Sequence, residues 1–286
     1  MSQKRALILS SEMTDNFKNR LYGNGRSRNT VKMYSYIARQ FLEYVGYDIS
    51  KINIESIEKF KEHLAIDKGY SKNTIYLYVR ALQSLIDYLN IEGIGHLKAP
   101  KRPQKVPNYL TVDEVKAVLG SCKDLRERLI VKLLVYTGLR VSELCSLKLS
   151  DVDIASRTIR VRNGKGDKDR LVVFSTDVVQ DLKAYLAYQK NGQKGEFLFS
   201  TARSKRISPV TVERIIRSIG ARSGIQKKIT PHTFRHTFAT SLLRNGADLR
   251  MIQILLGHSS ISTTQIYTHI DDTTLKMGYE KFVPKY

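Results

Sequence analysis

The N-terminal third of the chain repeats apolar residues at helical spacing. Within residues 30–45 these positions are Val31, Tyr34, Ile37, Phe41 and Tyr44. A period of three to four residues is typical of an amphipathic helix. Residues 55–67 and 74–90 follow the same period. We therefore predict an all-helical N-terminal domain over residues 1–97.

The C-terminal part combines helical periods with one short β-hairpin. Runs of β-forming residues predict strands at 158–162 and 171–174, and the Asn-Gly sequence within residues 163–169 suits the turn between them. Residues 197–199 are a candidate third strand. Helical patterns occupy much of the remainder, at about 112–121, 125–137, 141–147, 177–190, 208–222, 232–244, 248–256 and 262–268. We predict a mainly α fold, in which a mostly helical second domain carries a small antiparallel β-sheet.

A basic, proline-rich segment at residues 98–110 separates the two parts. It holds three of the six prolines in the chain, and proline both blocks helices and stiffens a connection. We predict a semi-rigid linker here, followed by a second domain over residues 111–286. The linker cations Lys101, Arg102 and Lys105 are candidates for contact with a phosphate backbone.

Positive charge dominates the composition. The 48 Lys and Arg against 27 Asp and Glu give a net charge of +21, and residues 98–286 alone contribute +17. Such a surplus favours a nucleic-acid partner, because cations that neutralise phosphates gain from counterion release, although a basic surface can also serve only solubility. The two cysteines, the short apolar stretch at the N-terminus and the lack of a long apolar run argue against secreted and membrane classes. We expect a cytoplasmic, nucleoid-associated protein.

A small internal repeat points to DNA contacts in the first domain. Residues 27–34 and 71–78 both open with Ser, a cation, Asn and Thr. Ser, Asn or Thr can cap the helix that follows, and a helix N-terminus with a cation beside it suits a phosphate. Two ordinary helix caps are the simpler alternative. We predict phosphate contacts from the residues that open the repeats, which are Ser27, Arg28, Asn29, Thr30, Ser71, Lys72, Asn73 and Thr74.

Five short segments of the second domain carry residues suited to phosphoryl transfer. In chain order these residues are Arg140, Lys165, His232, Arg235, His258 and Tyr267. Two guanidiniums can clamp the non-bridging oxygens of one phosphate, and imidazoles can donate or move protons near neutral pH. A lysine at a hairpin tip can protonate a leaving oxygen, and a tyrosine can form a covalent phosphoester. Such a set needs no metal cofactor, because the arginines supply the charge that Mg²⁺ would otherwise give.

Each of these residues alone has a simpler interpretation. Lys165 could only solvate a turn, Arg140 could form a surface ion pair, and Tyr267 is one of 16 tyrosines. His232 and His236 lie four residues apart and could suggest a zinc pair, but the HExxH pattern is absent there. We rank zinc below the phosphate interpretation, which rests on the ordered combination.

This combination resembles the tyrosine recombinase (phage integrase) family. The resemblance is sharpest at residues 136–144, Tyr-Thr-Gly-Leu-Arg-Val-Ser-Glu-Leu, and at residues 230–240, Thr-Pro-His-Thr-Phe-Arg-His-Thr-Phe-Ala-Thr. It continues through Leu-Leu-Gly-His at 255–258 to Tyr267, and it runs over nearly the whole chain. The two-domain layout is similar to that of the Xer branch. In this resemblance residues 1–97 are a core-binding domain that clamps DNA, and residues 111–286 are the catalytic domain.

The resemblance implies how the chemistry is divided. Tyr267 would attack the scissile phosphate and give a 3′-phosphotyrosine, while Lys165 protonates the departing 5′-oxygen. Arg140 and Arg235 would hold the non-bridging oxygens. The phosphotyrosine would conserve the energy of the broken bond, so that no ATP is needed.

Three further positions complete the implied site. His232 would assist proton transfer, and His258 would support the transition state. Glu143 would steady the pocket from behind the residues that touch the phosphate. All of these positions follow the family's pattern.

The resemblance also implies partners. The substrate would be a double-stranded DNA recombination site, held by a homo-oligomer with four protomers in a synapse. A C-terminal tail at about 272–286 would dock on a neighbouring subunit, with docking on its own chain as the alternative. An accessory activator could take part, and no membrane is expected.

Three functions remain open from the sequence. The first and preferred one is a site-specific recombinase, with Xer-type resolution of dimers as the expected role. The second is an enzyme like type IB topoisomerases, which would share the chemistry but relax DNA without exchanging partners. The third is a non-catalytic DNA-binding regulator, which would be expected to lack at least one of the six candidate residues, whereas all six are present.

Overall fold

The chain divides into two compact units, Met1–Lys105 and Val106–Tyr286. The structure, a computed structural model, describes residues 3–101, 108–162, 169–190, 195–201, 204–257 and 278–284. No helix among these residues combines the length and the apolar character needed to cross a membrane.

The first unit is helical throughout its ordered elements. The α-helices described in this unit are α1 (Gln3–Gly23), α2 (Arg28–Tyr44), α3 (Ile54–Ile66) and α4 (Lys72–Leu89). The predicted helices at 30–45, 55–67 and 74–90 correspond to α2, α3 and α4 within two residues. Sequence periodicity did not single out α1, although its residues Phe17 and Leu21 are buried in the core of this unit.

The two repeated segments both begin a helix. Ser27 caps α2, where its Oγ accepts a hydrogen bond from the backbone N–H of Thr30 at 3.3 Å. Ser71 caps α4 in the same way, with Thr74 as the donor at 3.3 Å. The repeat is therefore a repeated N-cap, in which serine satisfies a backbone N–H that the helix leaves without an internal partner.

The second unit is mostly helical with a small sheet, as predicted. Its described helices are α5 (Val112–Gly120), α6 (Leu125–Thr137), α7 (Val141–Ser146), α8 (Thr176–Lys190), α9 (Pro209–Arg222), α10 (Pro231–Arg244) and α11 (Leu249–Leu256). Strands β1 (Val152–Asp153), β2 (Thr158–Val161) and β3 (Arg170–Val173) form an antiparallel sheet in the order β1-β2-β3. Strands β2 and β3 are the two predicted strands, and their register pairs Val161 with Arg170. The predicted helix at 262–268 lies outside the described residues.

The prediction of a third strand at 197–199 is wrong. The third strand is β1, a two-residue element that pairs with β2 and is too short to give a periodic signal. Residues 197–199 make only an isolated bridge between Phe197 and Lys148. Leu198 and Phe199 are apolar because they are buried in the main core, and not because they belong to a sheet.

Helix α6 lies at the centre of the second unit. Every residue from Leu129 to Thr137 is buried, and the helix packs against both α8 and α10. A helix that is buried on all sides is a core element, and Lys132, the one charged residue in this stretch, pairs with Asp181 at 2.6 Å. Its C-terminal end is therefore a fixed point in the interior, and the chain leaves it at Gly138 towards Arg140.

The described end of the chain docks on its own second unit. Residues 278–282 are helical, and the fully buried Tyr279 donates a hydrogen bond to the carbonyl of Tyr136 at 2.7 Å. Asn245 Nδ2 donates to the carbonyl of Phe282 at 3.0 Å, and Arg157 pairs with Glu280 at 2.6 Å. In this single chain the tail from residue 278 to 284 thus packs in cis.

Candidate active site

Gly138 ends α6 and turns the chain towards the first candidate arginine. Its φ of +61° lies in the left-handed region, which glycine adopts readily because it has no Cβ. A Cβ here would lie 2.5 Å from Phe238 Cδ1 and 2.7 Å from Leu256 Cδ2. The glycine lets the end of α6 approach these two side chains closely, and Arg140 follows two residues later as the N-cap residue of α7.

Arg235 reaches the same point from the other side. It lies on α10 and is only 8% exposed. Its Nη1 donates to the carbonyl of Gly138 and its Nη2 to the carbonyl of Leu256, both at 2.5 Å. Burial, together with the charge of nearby Arg140, lowers the pKa of Arg235 to about 10. The guanidinium therefore remains charged at neutral pH.

Arg140 and Arg235 are held by the C-terminal ends of two helices. Arg140 Nη2 donates to the carbonyl of Gly257 at 3.0 Å, next to the Leu256 carbonyl that binds Arg235. Gly257 is the left-handed C-cap residue of α11, as Gly138 is for α6. Helix C-termini carry exposed carbonyls and a partial negative charge. They hold two positive side chains close together that would otherwise repel each other.

Glu143 joins Arg140 to a third arginine that the sequence analysis did not single out. The Glu143 carboxylate accepts hydrogen bonds from the Arg140 backbone N–H and from Arg140 Nη1, both at 2.8 Å. It also accepts a two-pronged pair from Arg170, with Nη1 at 2.8 Å and Nη2 at 2.7 Å. The only sequence signal for Arg170 is its position at the start of a strand; nothing in the pattern links it to Glu143, 27 residues earlier.

The charge of Glu143 is fixed by these arginines. Burial would raise the pKa of this carboxyl group, which is 7% exposed, but the hydrogen bonds and charges of Arg170 and Arg140 lower the pKa to about 2. The group is therefore ionised at any pH near neutrality. Three guanidiniums and one carboxylate leave this cluster with a net charge of +2, which suits it to an anion.

His232 lies at the edge of this cluster. It is on the first turn of α10 and exposed, and it lines a cleft of about 480 Å³ together with Val141, the residue after Arg140. His236, one turn further along α10, has its pKa lowered by partial burial of the ring and by the neighbouring His232 and Arg235. Among the residues that the structure describes, no three His, Cys, Asp or Glu side chains are grouped as metal ligands.

The remaining predicted residues fall into two groups. Lys165, His258 and Tyr267 lie outside the described residues, as do the linker residues Arg102 and Lys105. The predicted DNA-contact residues are placed at the N-termini of α2 and α4 and in the linker. Those that are exposed are Ser27, Arg28, Asn29, Ser71, Lys72, Asn73 and Lys101, while Thr30 and Thr74 are half-buried. The roles of all these residues remain predictions.

The fold and the paired arginines define a protein of the tyrosine recombinase class. The chain belongs to the phage integrase family: the model of that family matches residues 108–274, and the model of the phage integrase N-terminal SAM-like domain matches residues 13–93. Tyrosine recombinase XerA of Pyrococcus furiosus is 40% identical over 284 residues, which cover 97% of this chain and 96% of the relative.

Two solved structures extend the comparison. The crystal structure of a XerA recombinase has 42% identity and a TM-score of 0.53, covering 96% of this chain and 100% of that one. The XerH site-specific recombinase, in a post-cleavage complex with palindromic difH substrate, has 25% identity and a TM-score of 0.73, covering 94% of this chain and 83% of that one. The resemblance to the phage integrase family is thereby confirmed, as is the fold class.

Proposed function

We propose that this site-specific tyrosine recombinase cleaves and rejoins duplex DNA through a covalent bond between Tyr267 and a 3′ phosphate. The observation that carries the proposal is the anchoring of Arg140 and Arg235 side by side at the ends of α6 and α11. A pair of guanidiniums held in this way can receive the two non-bridging oxygens of one phosphodiester. Such preorganised donors act on the charge that develops in the transition state.

Residues of this chain would supply every group that the cleavage step needs. The phenol oxygen of Tyr267 forms a bond to phosphorus as the bond from phosphorus to the 5′-oxygen breaks. Lys165 gives a proton to the departing 5′-oxygen, and the phenol proton passes towards His232. His258 and the two arginines stabilise the phosphoryl oxygens, which gain negative charge as the new bond forms.

Rejoining is the reverse reaction with a different strand. The 5′-hydroxyl of a second DNA strand attacks the phosphotyrosine, and the bond from phosphorus to the tyrosine oxygen breaks. Because one phosphoester replaces another in each step, no nucleotide has to be hydrolysed. The net charge of +2 on the arginine cluster supplies the stabilisation that a metal ion gives in other phosphoryl transfers.

The first unit and the linker would add further contacts to the DNA backbone. Support comes from the two repeated helix caps, since each presents an exposed cation beside a helix N-terminus. XerH, which is 25% identical, was crystallised with a DNA substrate. We propose that four protomers form the synapse and that dimer resolution is the biological role, with any accessory activator acting on this assembly.

Exchange of the C-terminal tail between subunits belongs to the same proposal. In the single chain, Tyr279 is buried in an apolar pocket of its own unit, within a cluster that includes Phe238 and Leu256. The same pocket would receive the tail of a neighbour in the synapse, because a second copy of the tail carries the same Tyr279. The cis contacts would then have to be released first.

Covalent capture tests the proposal directly. A library of nicked duplexes with randomised arms releases a short fragment after cleavage, so that the protein remains joined to DNA. We expect native protein to yield a protease-sensitive DNA adduct and the Tyr267→Phe variant to bind DNA without forming one. Tyr188→Phe is the matched control, because Tyr188 is an exposed tyrosine of α8 and should leave adduct formation unchanged.

Two outcomes would contradict the proposal. An adduct formed by Tyr267→Phe would show that another residue is the nucleophile, and an absence of adduct with native protein would remove the enzyme assignment. Sequencing the trapped DNA gives the target site and the polarity of cleavage. Joining of two separate duplexes that carry this site, rather than relaxation of one supercoiled circle, then distinguishes recombination from a topoisomerase activity.

A further inference from the structure

Arg170 is bound on two sides by parts of the candidate site. At the start of β3 its guanidinium forms a two-pronged pair with Glu143, and its side chain is only 12% exposed. On the other side it packs against Gly257, where a Cβ would lie 2.8 Å from Arg170 Cδ. The carbonyl of that same glycine accepts a hydrogen bond from Arg140. Arg170 thus touches both groups that hold Arg140 in place.

We propose that Arg170 is a positioning residue, which neutralises Glu143 so that the Arg140 guanidinium stays free to bind the scissile phosphate. This inference rests on the proposed function and adds to it a residue that acts through another. The Glu143 carboxylate lies beside Arg140 and is shielded from solvent. The Glu143 carboxylate therefore competes with the phosphate for the Arg140 guanidinium. Arg170 reduces this competition by pairing with the carboxylate itself.

The division of hydrogen bonds around Glu143 supports this role. Each carboxylate oxygen accepts one bond from Arg170, and Arg140 contributes one side-chain bond through Nη1 and one backbone bond. Without Arg170, Arg140 would be the only described arginine that hydrogen-bonds to this buried carboxylate. A two-pronged pair between them would be the favoured geometry, and it would turn the guanidinium away from the phosphate.

The net charge of the arginine cluster also supports the positioning role of Arg170. With Arg170 present, three guanidiniums and one carboxylate leave two positive charges, and removal of Arg170 leaves one. The phosphodiester carries one negative charge, and a second develops on its non-bridging oxygens when the tyrosine oxygen bonds to phosphorus. Half of the stabilising charge would therefore be lost at the point in the reaction where most is needed.

A neutral scissile phosphate provides the test. The substrates are two nicked duplexes carrying the trapped site, one with a normal scissile phosphate and one with a methylphosphonate, in which methyl replaces a charged non-bridging oxygen. We expect Arg170→Gln to slow adduct formation roughly tenfold to a hundredfold on the normal substrate, because loss of a direct oxyanion donor costs about 10²–10³ and Arg170 acts at one remove. On the methylphosphonate substrate the variant should form adduct at nearly the rate of native protein.

Two more variants make the test specific. Arg170→Lys keeps the charge but cannot form the two-pronged pair, so we expect an intermediate rate. The double variant Glu143→Gln with Arg170→Gln removes the competing carboxylate and should form adduct faster than Arg170→Gln alone. Arg222→Gln is the matched control. Arg222 is a half-buried arginine outside the cluster, and it pairs with Glu127 at a distance of 2.5 Å. Its loss should not slow adduct formation on either substrate.

The outcomes separate this inference from the proposed function. If native protein forms no adduct, both fail. If native protein forms adduct, while Arg170→Gln binds DNA but loses rate equally on both substrates, Arg170 is only a structural residue. The inference also fails if Arg170→Gln reacts at the native rate, or if the double variant is no faster than Arg170→Gln.

Discussion

Replacement of Gly138 by alanine should destabilise the second unit strongly, and the structure gives the size of the effect. The left-handed conformation, with φ of +61°, costs a residue with a Cβ about 1–2 kcal/mol. The added Cβ would also overlap Phe238 Cδ1 at 2.5 Å and Leu256 Cδ2 at 2.7 Å, and overpacking of a dense core costs about 1–3 kcal/mol. We expect a loss of roughly 2–5 kcal/mol in the free energy of unfolding.

Gly224→Ala is the matched control for this prediction. Gly224 has a similar φ of +69°, but nothing lies within 4 Å of an added Cβ, so this variant reports the backbone strain alone. Urea unfolding followed by circular dichroism gives both free energies, and calorimetry should show the transition of the second unit lowered by roughly 5–15 °C for Gly138→Ala. Equal losses in the two variants would refute the close approach of α6 to Phe238 and Leu256.

Two further predictions concern buried polar contacts of the second unit. The pKa of Glu143 is lowered from 4.5 to about 2, so its ionised form stabilises the fold above pH 4.5 and this contribution, about 3 kcal/mol, is lost as the pH falls towards 2. The stability gap between native protein and Glu143→Gln should therefore be constant above pH 5 and shrink below it in urea titrations, and a gap that widened towards pH 2 would contradict the ion pairing. Tyr279→Phe removes the hydrogen bond to the Tyr136 carbonyl and should lower the free energy of unfolding by roughly 1–2 kcal/mol, with faster tryptic cleavage of the tail; unchanged cleavage would argue against cis docking.

Local signals predicted most of the helices because many of them carry a capping residue at the start or a glycine at the end. Thr111 and Glu114 form a capping box at the start of α5, and Gly138 and Gly257 end α6 and α11 in the left-handed conformation. Such signals depend on a few neighbouring residues, which is why boundaries came within about two residues. The prediction of a strand at 197–199 was wrong for a related reason. A short apolar run has the same sequence pattern whether it pairs with a strand or is buried in a core.

The candidate site was predictable only in part. The sequence put forward Arg140 and Arg235 from their motifs, and the structure places both at the same pair of helix ends. It did not put forward Arg170, because the link between Glu143 and Arg170 joins a helix to a strand and depends on tertiary packing. The helix-end carbonyls were also invisible, since every residue has a carbonyl and only the fold decides where it points.

The use of main-chain carbonyls at Gly138, Leu256 and Gly257 affects how freely this region can vary in sequence. A side-chain acceptor can be deleted by one codon change, whereas a carbonyl survives every substitution that preserves the backbone path. The side chains of α6 and α11 can therefore change as core packing allows, while the carbonyl acceptors keep their positions. The two terminal glycines therefore carry the constraint that keeps these acceptors in place, whereas substitutions along the helices are limited by core packing and not by the need for an acceptor.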